Sequence, residues 1–568
     1  MTRSITAAIA LAFVLVVAAG VRITSQTAAQ TPAELVLRNG RIVTVDDRLP
    51  EAQALAASGG KIVFIGTNAD VARFVGPSTK VIDLGGQLAI PGLIEGHGHF
   101  TGIGENRINL DLMSTKSWDE IVQMVAQAVE KAKPGEWIIG RGWHQEKWTG
   151  APQPNVEGFP LHASLDKVSP NNPVVLTHAS GHASFVNQKA MDAAGITKTT
   201  ANPDGGEILK DSNGNPTGLL REKASGLIHL PAESEDRGRR VLQLADEEVT
   251  SKGITSFVDA GSAFDVIERM KRMVDENKLN VRLWVMVSNS TASNFGAGLD
   301  SHRMIGYGDN HLTVRAIKMY MDGALGSRGA WLLEPYTDKP DSTGLNTTPL
   351  ETIRAGAQTA IEHNYQVCVH AIGDRGNREV LNIYEDTFKK NNKNGKDLRW
   401  RIEHAQHISA ADIPRFGQMG VIAAMQTNHC TSDAVFVPAR LGDKRSEEGA
   451  YVWQKLMKSG AVVADGTDAP VENVDPIPNY YAAVTRKLAD GRVFYGDQKM
   501  SRMEALKSYT LSNAFATFEE NLKGSLTVGK LADITVLTKD ITKVPDEEIR
   551  TAKVAYTIVG GKVVYQAK

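Results

Sequence analysis

The sequence predicts an α/β protein: a (β/α)8 barrel, a composite β-sandwich made by both chain ends, and a large insertion after the first barrel strand. Three observations predict it. Eight short runs rich in β-branched residues recur along the middle: LAIPGLIEGH, GITSFVDAG, VRLWVMV, LTVRAIKMYMDG, YQVCVHAIGD, LRWRIEHAQ, GVIAAMQT and GAVVADGTDAP. Amphipathic stretches separate most of them, as at 264–277 and 350–363, and strands alternating with helices indicate a parallel sheet. Both ends of the chain read instead as strands joined by tight turns.

In chain order, residues 1–30 carry Arg3, an apolar run from Ile5 to Val21, and then small residues ending Thr27-Ala28-Ala29-Gln30. Charge, apolar core and small-residue site is the order of a secretory signal. The expectation is a periplasmic or secreted protein with no stable membrane span after cleavage. Residues 31–90 hold strand-like runs punctuated by Asn39-Gly40, Gly59-Gly60 and Gly85-Gly86, which are hairpin signals. Residues 516–568 look alike around Gly560-Gly561, and chain ends are often close in space. The two segments are expected to share one sandwich. The barrel is assigned to 91–99 plus 251–515. The gap at 100–250, with a helix expected at 117–133, is read as an inserted subdomain over the barrel mouth, since connections this long are usually functional.

Composition narrows the function. With 63 Lys and Arg against 65 Asp and Glu, the formal charge is −2, so nucleic acid is not an expected partner. Hydrophobic residues at 42% and charged residues at 23% exclude a disordered chain. Only Cys368 and Cys430 occur, which excludes a disulfide scaffold and a four-thiolate metal site.

The chemistry falls where strand runs end. His97 and His99 close the first run, Lys318 lies in the fourth, His370 closes the fifth, His404 the sixth and Asp468 the eighth. Alternate strand residues share a face, so His97 and His99 are expected to point one way. Catalytic groups of such barrels gather at the C-terminal strand ends. Any one of these residues has an ordinary structural reading; together, imidazoles and a carboxylate converging on one mouth suit zinc and similar divalent ions.

These motifs (PGLIEGHGH at 91–99, KMYMDGALGSR at 318–328, CVHAIGDRGNR at 368–378, RIEHAQ at 401–406, DGTDAP at 465–470 and VGKLADITVL at 528–537) resemble the amidohydrolase superfamily, in its YtcJ-like, family-3 branch with N-substituted formamide deformylases. The resemblance implies a distorted TIM barrel with a composite sandwich. It implies that His97, His99, His370 and His404 hold metal, that Asp468 touches metal and handles the proton, and that Lys318 stands where binuclear members carry a carboxylated bridging lysine. One ion or two follows from the state of Lys318. Glu95-Gly96 departs from the Asp-Ser common in relatives. Deaminase members carry a glutamate three residues after the fifth-strand histidine, where this chain has Gly373.

His182, in LTHASGHASFVN, and Arg328 are further candidates for substrate binding. The expected activity is hydrolysis of a small-molecule amide, N-acyl or N-formyl, at a non-peptide C–N bond by hydroxide generated at the metal, with Asp468 shuttling the proton. An esterase or lactonase on the same site, and a catalytically inactive periplasmic binding protein, are the alternatives. A homodimer is left open.

Overall fold

The computed structural model describes residues 31–288 and 295–568. The expected signal segment, 1–30, lies outside the described residues. Among these residues no helix is long and apolar enough to cross a membrane.

The barrel strands are β1 (Leu93–Gly98), β2 (Ile254–Ser262), β3 (Arg282–Val287), β4 (Leu312–Tyr320), β5 (Gln366–Ala371), β6 (Arg401–His404), β7 (Ile422–Met425) and β8 (Val463–Asp465). They pair in parallel in that order, from β1 to β8. Alternation sorts their side chains. Phe257, Val285, Val314 and Val367 join the large core under the helices. Ile94, Val258, Trp284, Met286, Ala316 and Cys368 form a separate cluster inside the barrel.

No strand ladder joins β8 back to β1 among the described residues. The seam is closed by side chains instead. Asn513 donates to Ile94 O at 2.7 Å and to Asp465 O at 2.8 Å, and accepts from Asp465 N at 3.2 Å. Thr467 N donates to Glu95 Oε1 at 2.5 Å. The strands approach so closely here that a Cβ at Gly96 would lie 2.4 Å from Asp465 O, and one at Gly466 2.4 Å from Glu95 Oε1. This accounts for glycine at position 96.

Both chain ends build the sandwich. Ile534–Leu537 pairs antiparallel with Leu88–Pro91, placing the C-terminal strands in a six-stranded sheet with N-terminal ones. A four-stranded sheet of N-terminal strands packs against it around Leu37, Ile42, Leu55, Ile534 and Ile558. The turn signals divide. Gly59-Gly60 and Gly560-Gly561 join antiparallel neighbours with positive φ at both glycines, as a two-residue hairpin requires. Asn39-Gly40 and Gly85-Gly86 make no hairpin: each carries the chain from one sheet to the other.

The insertion has its own six-stranded sheet, including Ile138–Trp143, Val174–His178 and Pro216–Glu222. Its helix runs Trp118–Val129, with Ser117 capping it by accepting from Glu120 N. Trp143 and Trp148 are packed in its core. The two ends of 100–250 belong to the barrel rather than to this subdomain. Helices Phe100–Asn106 and Glu235–Ser251 place Phe100, Ile103, Leu242 and Val249 in the barrel core. They cross so closely that a Cβ at Gly104 would lie 1.9 Å from Val241 O.

Candidate metal centre

Asp468 stands at the centre of the cluster. Its Oδ1 lies 3.1 Å from His99 Nε2 and 3.5 Å from His97 Nε2, and its Oδ2 lies 3.9 Å from His404 Nδ1. Neither Oδ1 contact is aligned as a hydrogen bond, and both Asp468 Oδ1 and His97 Nε2 are buried without a partner. The ligand atoms of His97, His99 and Asp468 lie within 4.8 Å of one another, as do those of His404, His429 and Asp468. Buried polar atoms are ordinarily hydrogen-bonded. The unpartnered Asp468 Oδ1 and His97 Nε2 converge without a proton between them and fit a divalent cation, so these donors pass the test; His429 presents a proton instead.

Each side chain is aimed by its surroundings. His97 Nδ1–H donates to Glu403, which fixes the tautomer that leaves Nε2 free. Glu403 is itself gripped by Arg401, at 2.7 Å through Nε and 2.8 Å through Nη2, in the middle of the barrel. His99 lies one residue past β1 and caps the next helix, so its side chain is 32% exposed where that of His97 is 1%. The two rings meet edge-on, 5.8 Å apart, rather than side by side. His404 departs from strand alternation through a φ of 75°, and Asp468 through a φ of 56°. Backbone held in this region is stored strain of the kind that clusters at active sites. His404 Nδ1–H donates to Gln426 Oε1 at 2.8 Å. Gln406 donates to His429 Nδ1 at 3.0 Å, so His429 presents Nε2–H to the cluster as a donor.

His370 stands 4.5 Å from the His404 ring, and its Nε2 turns toward Asp322 Oδ1 at 3.5 Å. Asp322 accepts from the backbone N–H groups of Ile372, Gly373 and Trp331 and so ties the end of β5 to the loop after β4. Lys318 is buried inside the barrel and reaches the same cavity as His99, His370, His404 and Asp468, with Nζ 5.0 Å from the Tyr320 ring.

Electrostatics agree with this division of roles. Burial, helped by the Lys318 charge, pushes His97 down to about 4, so its imidazole is neutral. Burial opposes ionisation of Asp468, yet the imidazoles gathered around it, His99 first and then His404 and His97, hold its carboxyl well below the usual range. Glu403 is likewise held down by Arg401 and His97 against its burial. Burial lowers the Lys318 ammonium, and it pushes Asp322 up to about 7.

Two substrate candidates separate. His182, brought in by the insertion, lies 4.8 Å from the His370 ring and donates Nδ1–H to Glu222 at 2.7 Å. Arg328 does not reach the site. It pairs with Asp338 at 3.0 and 3.3 Å and faces a different cavity, so the substrate role expected of it gives way to a rim ion pair. Glu403, Asp322 and His429 were missed. Only Glu403 had a visible signal, an acid sharing a strand face with Arg401 beside a ligand histidine. The cavity around Asp468 measures about 490 Å³, and a smaller apolar chamber lined by Phe436 and Leu325 opens onto the same histidines.

A sequence model of the amidohydrolase family matches residues 80–565. The chain is 32% identical, over 94% of its length and 92% of the relative's, to Protein LONG AFTER FAR-RED 3 of Arabidopsis thaliana. It is 31% identical to the putative amidohydrolase YtcJ of Bacillus subtilis strain 168, over 87% of this chain and 92% of that one. It is 25% identical to N-substituted formamide deformylase of Arthrobacter pascens, over 94% of this chain and 98% of that one. Among solved structures, an uncharacterised metal-dependent hydrolase of Pyrococcus horikoshii OT3 superposes with a TM-score of 0.71 at 25% identity, covering 90% of this chain and 99% of that one. With the family's sequence pattern running through most of the chain and metal-ready histidines at its strand ends, this protein belongs to the amidohydrolase family as a metal-dependent hydrolase.

Proposed function

We propose that the protein is a secreted hydrolase of a non-peptide C–N bond, an N-acyl or N-formyl amide, using zinc and Asp468 as proton carrier. The observation that carries this reading is the unpartnered Asp468 Oδ1 between the His97 and His99 nitrogens. His97, His99, His370, His404 and Asp468 would hold a divalent ion, whose Lewis acidity would polarise a carbonyl and lower the pKa of water. Asp468, ionised and central, takes the proton from the attacking water and returns it to the leaving nitrogen. His429 Nε2–H is a donor for the developing oxyanion. Glu403 keeps His97 in the ligand tautomer throughout.

Position 373 favours amide hydrolysis over deamination. A Cβ there would lie 2.1 Å from Trp331 O, so no acidic side chain fits where deaminases carry one. The imidazole-rich donor set supports zinc, and the charge, apolar and small-residue order of 1–30 supports secretion.

The test is metal content by elemental mass spectrometry on purified protein, wild type beside Lys318→Ala, with turnover of N-formyl and N-acyl amides against activated esters. Bound zinc with amide turnover is expected. Two equivalents falling to one or none in the variant would assign Lys318 a bridging role. Absence of metal after reconstitution would sink the reading, and turnover of esters alone would make the protein an esterase. Amino-terminal sequencing of the exported protein tests secretion.

A further inference from the structure

We propose that Arg141 is the anchor for a carboxylate on the substrate, so that the amide this protein hydrolyses is an N-acyl amino acid or a similar anionic amide; this rests on the amide reading above. Arg141 sits on the strand Ile138–Trp143 of the insertion and lines the 490 Å³ cavity with His99, His370, His404 and Asp468. Its guanidinium makes one hydrogen bond, from Nη2 to Ala179 O at 3.1 Å. Nε is buried with no partner. Among the described residues it forms no ion pair; Glu105 and Asp468 act on it only at longer range.

Arg141 is half-buried. The fully buried arginines Arg401, Arg440 and Arg221 are matched, by Glu403, by Asp338 and Glu146, and by Glu157 and Glu207. A charge drawn out of water without a counter-ion is costly unless something completes it. Burial indeed works against the Arg141 charge. A fork of N–H donors facing a cavity is suited to a carboxylate, which it can bind through two parallel hydrogen bonds.

The surroundings hold the fork in place. The strand Ile138–Trp143 pairs with Val174–His178, and the loop that follows wraps the guanidinium. Gly181, with φ +78°, lies flat against it: a Cβ there would be 3.5 Å from Nη2 and 3.7 Å from Nη1. The same loop delivers His182 to His370, so one rigid hairpin carries both an anion anchor and a contact to the reacting end. Lys318 and the exposed Lys223 also line the cavity; of its acidic residues, Glu222 is taken by His182, Asp322 by three backbone N–H groups, and Glu105 is drawn by Arg237 as well as by Arg141. A substrate with its amide beside Asp468 and its carboxylate on Arg141 would lie within this one cavity.

The experiment compares matched pairs on the metal-loaded enzyme: N-formylphenylalanine with N-formylphenethylamine, and N-formylglycine with N-formylmethylamine. Each pair differs only in the carboxylate. We expect at least a tenfold higher kcat/KM for the anionic member of a pair. In Arg141→Met that preference disappears through a raised KM, while the neutral member stays within threefold and serves as the folding control. Arg141→Lys, which keeps the charge but not the fork, recovers part of it. Turnover of neutral amides with no preference for the anion would overturn the proposal and leave the amidase reading intact. If neither member is turned over, the amidase reading fails, and calorimetric binding of the same pairs decides this one. Tenfold tighter binding of the anion, lost in Arg141→Met, upholds the anchor; equal binding removes it.

Discussion

Replacing Glu403 by glutamine removes one charge from the centre of the barrel and should act on two quantities at once. Its carboxylate accepts two N–H bonds from Arg401, at 2.7 and 2.8 Å, and the Nδ1–H of His97. The side chains of Glu403 and Arg401 are fully buried. In Glu403→Gln the Arg401 guanidinium stays buried with no anion, a change that costs about 3–5 kcal/mol when one partner of a buried pair is lost. His97 loses the anion that fixes its tautomer, and loss of such a partner typically weakens metal binding about 10–100-fold, or about 1.4–2.8 kcal/mol. Denaturant midpoints of the metal-free protein read the first effect, and competition with a zinc chelator reads the second. The two separate in the double variant Glu403→Gln/Arg401→Met. Replacing both charges by groups of similar volume should recover most of the stability, while zinc affinity stays low because His97 is still unsupported. Unchanged zinc affinity in Glu403→Gln would refute the claim that Glu403 prepares His97. Recovered affinity in the double variant would show that the loss came from the barrel centre and not from the tautomer.

Asp468→Asn should lower amide kcat by about 10²–10⁴, the usual range for a lost general acid–base group, and lower activated-ester turnover less, because an ester leaving group needs no proton; equal losses would remove the proton-carrier role. Asn513→Ala should strip the β1–β8 seam of three buried hydrogen bonds and destabilise the fold by about 1–3 kcal/mol for each backbone group left unsatisfied; hydrogen exchange should rise first at Ile94 and Asp465, and uniform exchange would contradict the seam. His178 and His407 are pushed by burial down to about 3, so both stay neutral in the fold. An unfolded histidine titrates near pH 6.5; below that the unfolded chain binds more protons, so stability is full above about pH 6.5 and falls toward pH 3, by up to about 1.4 kcal/mol per pH unit for each histidine. Denaturant midpoints between pH 7 and 5 should fall, less steeply in His407→Gln, and a flat profile would argue against neutral burial.

What could be read in advance was whatever repeats locally. Eight β-branched runs became eight parallel strands because each is buried on both faces and needs no partner to announce itself. The residues that converge on Asp468 could be named because strand ends are recognisable and barrels gather their chemistry there. Glu403 and Asn513 escaped because their roles depend on residues hundreds of positions away, and His429 because it stands inside a helix after the seventh strand rather than at a strand end. Asn513 reads as an ordinary helix residue until β1 and β8 are brought to either side of it. Asn39-Gly40 misled for the same reason. The dipeptide specifies a turn, but whether the next strand returns to its neighbour or crosses to the facing sheet depends on pairing with strands distant in sequence, here Lys80–Asp83 for the strand before the turn and Leu88–Pro91 for the one after it.

Arg328 and Arg141 differ in what holds them, and the difference bears on where the proposed substrate choice would reside. Arg328 follows a barrel strand within a motif, and it is consumed by Asp338, which also holds Arg440 and through it Glu146 of the insertion. It therefore helps to fasten the insertion to the barrel. Arg141 belongs to no recognisable motif, and among the described residues it faces the cavity with no carboxylate paired to it. The barrel supplies reactive groups at positions its own strands determine, and these tolerate little change because each is locked by a neighbour such as Glu403, Asp322 or Gln426. The insertion answers to a separate core around Trp143 and Leu176, so its cavity-facing residues can vary without disturbing the barrel. Substitutions at Arg141 should accordingly change which amide is accepted, whereas substitutions at Glu403 should lower the rate for all of them alike.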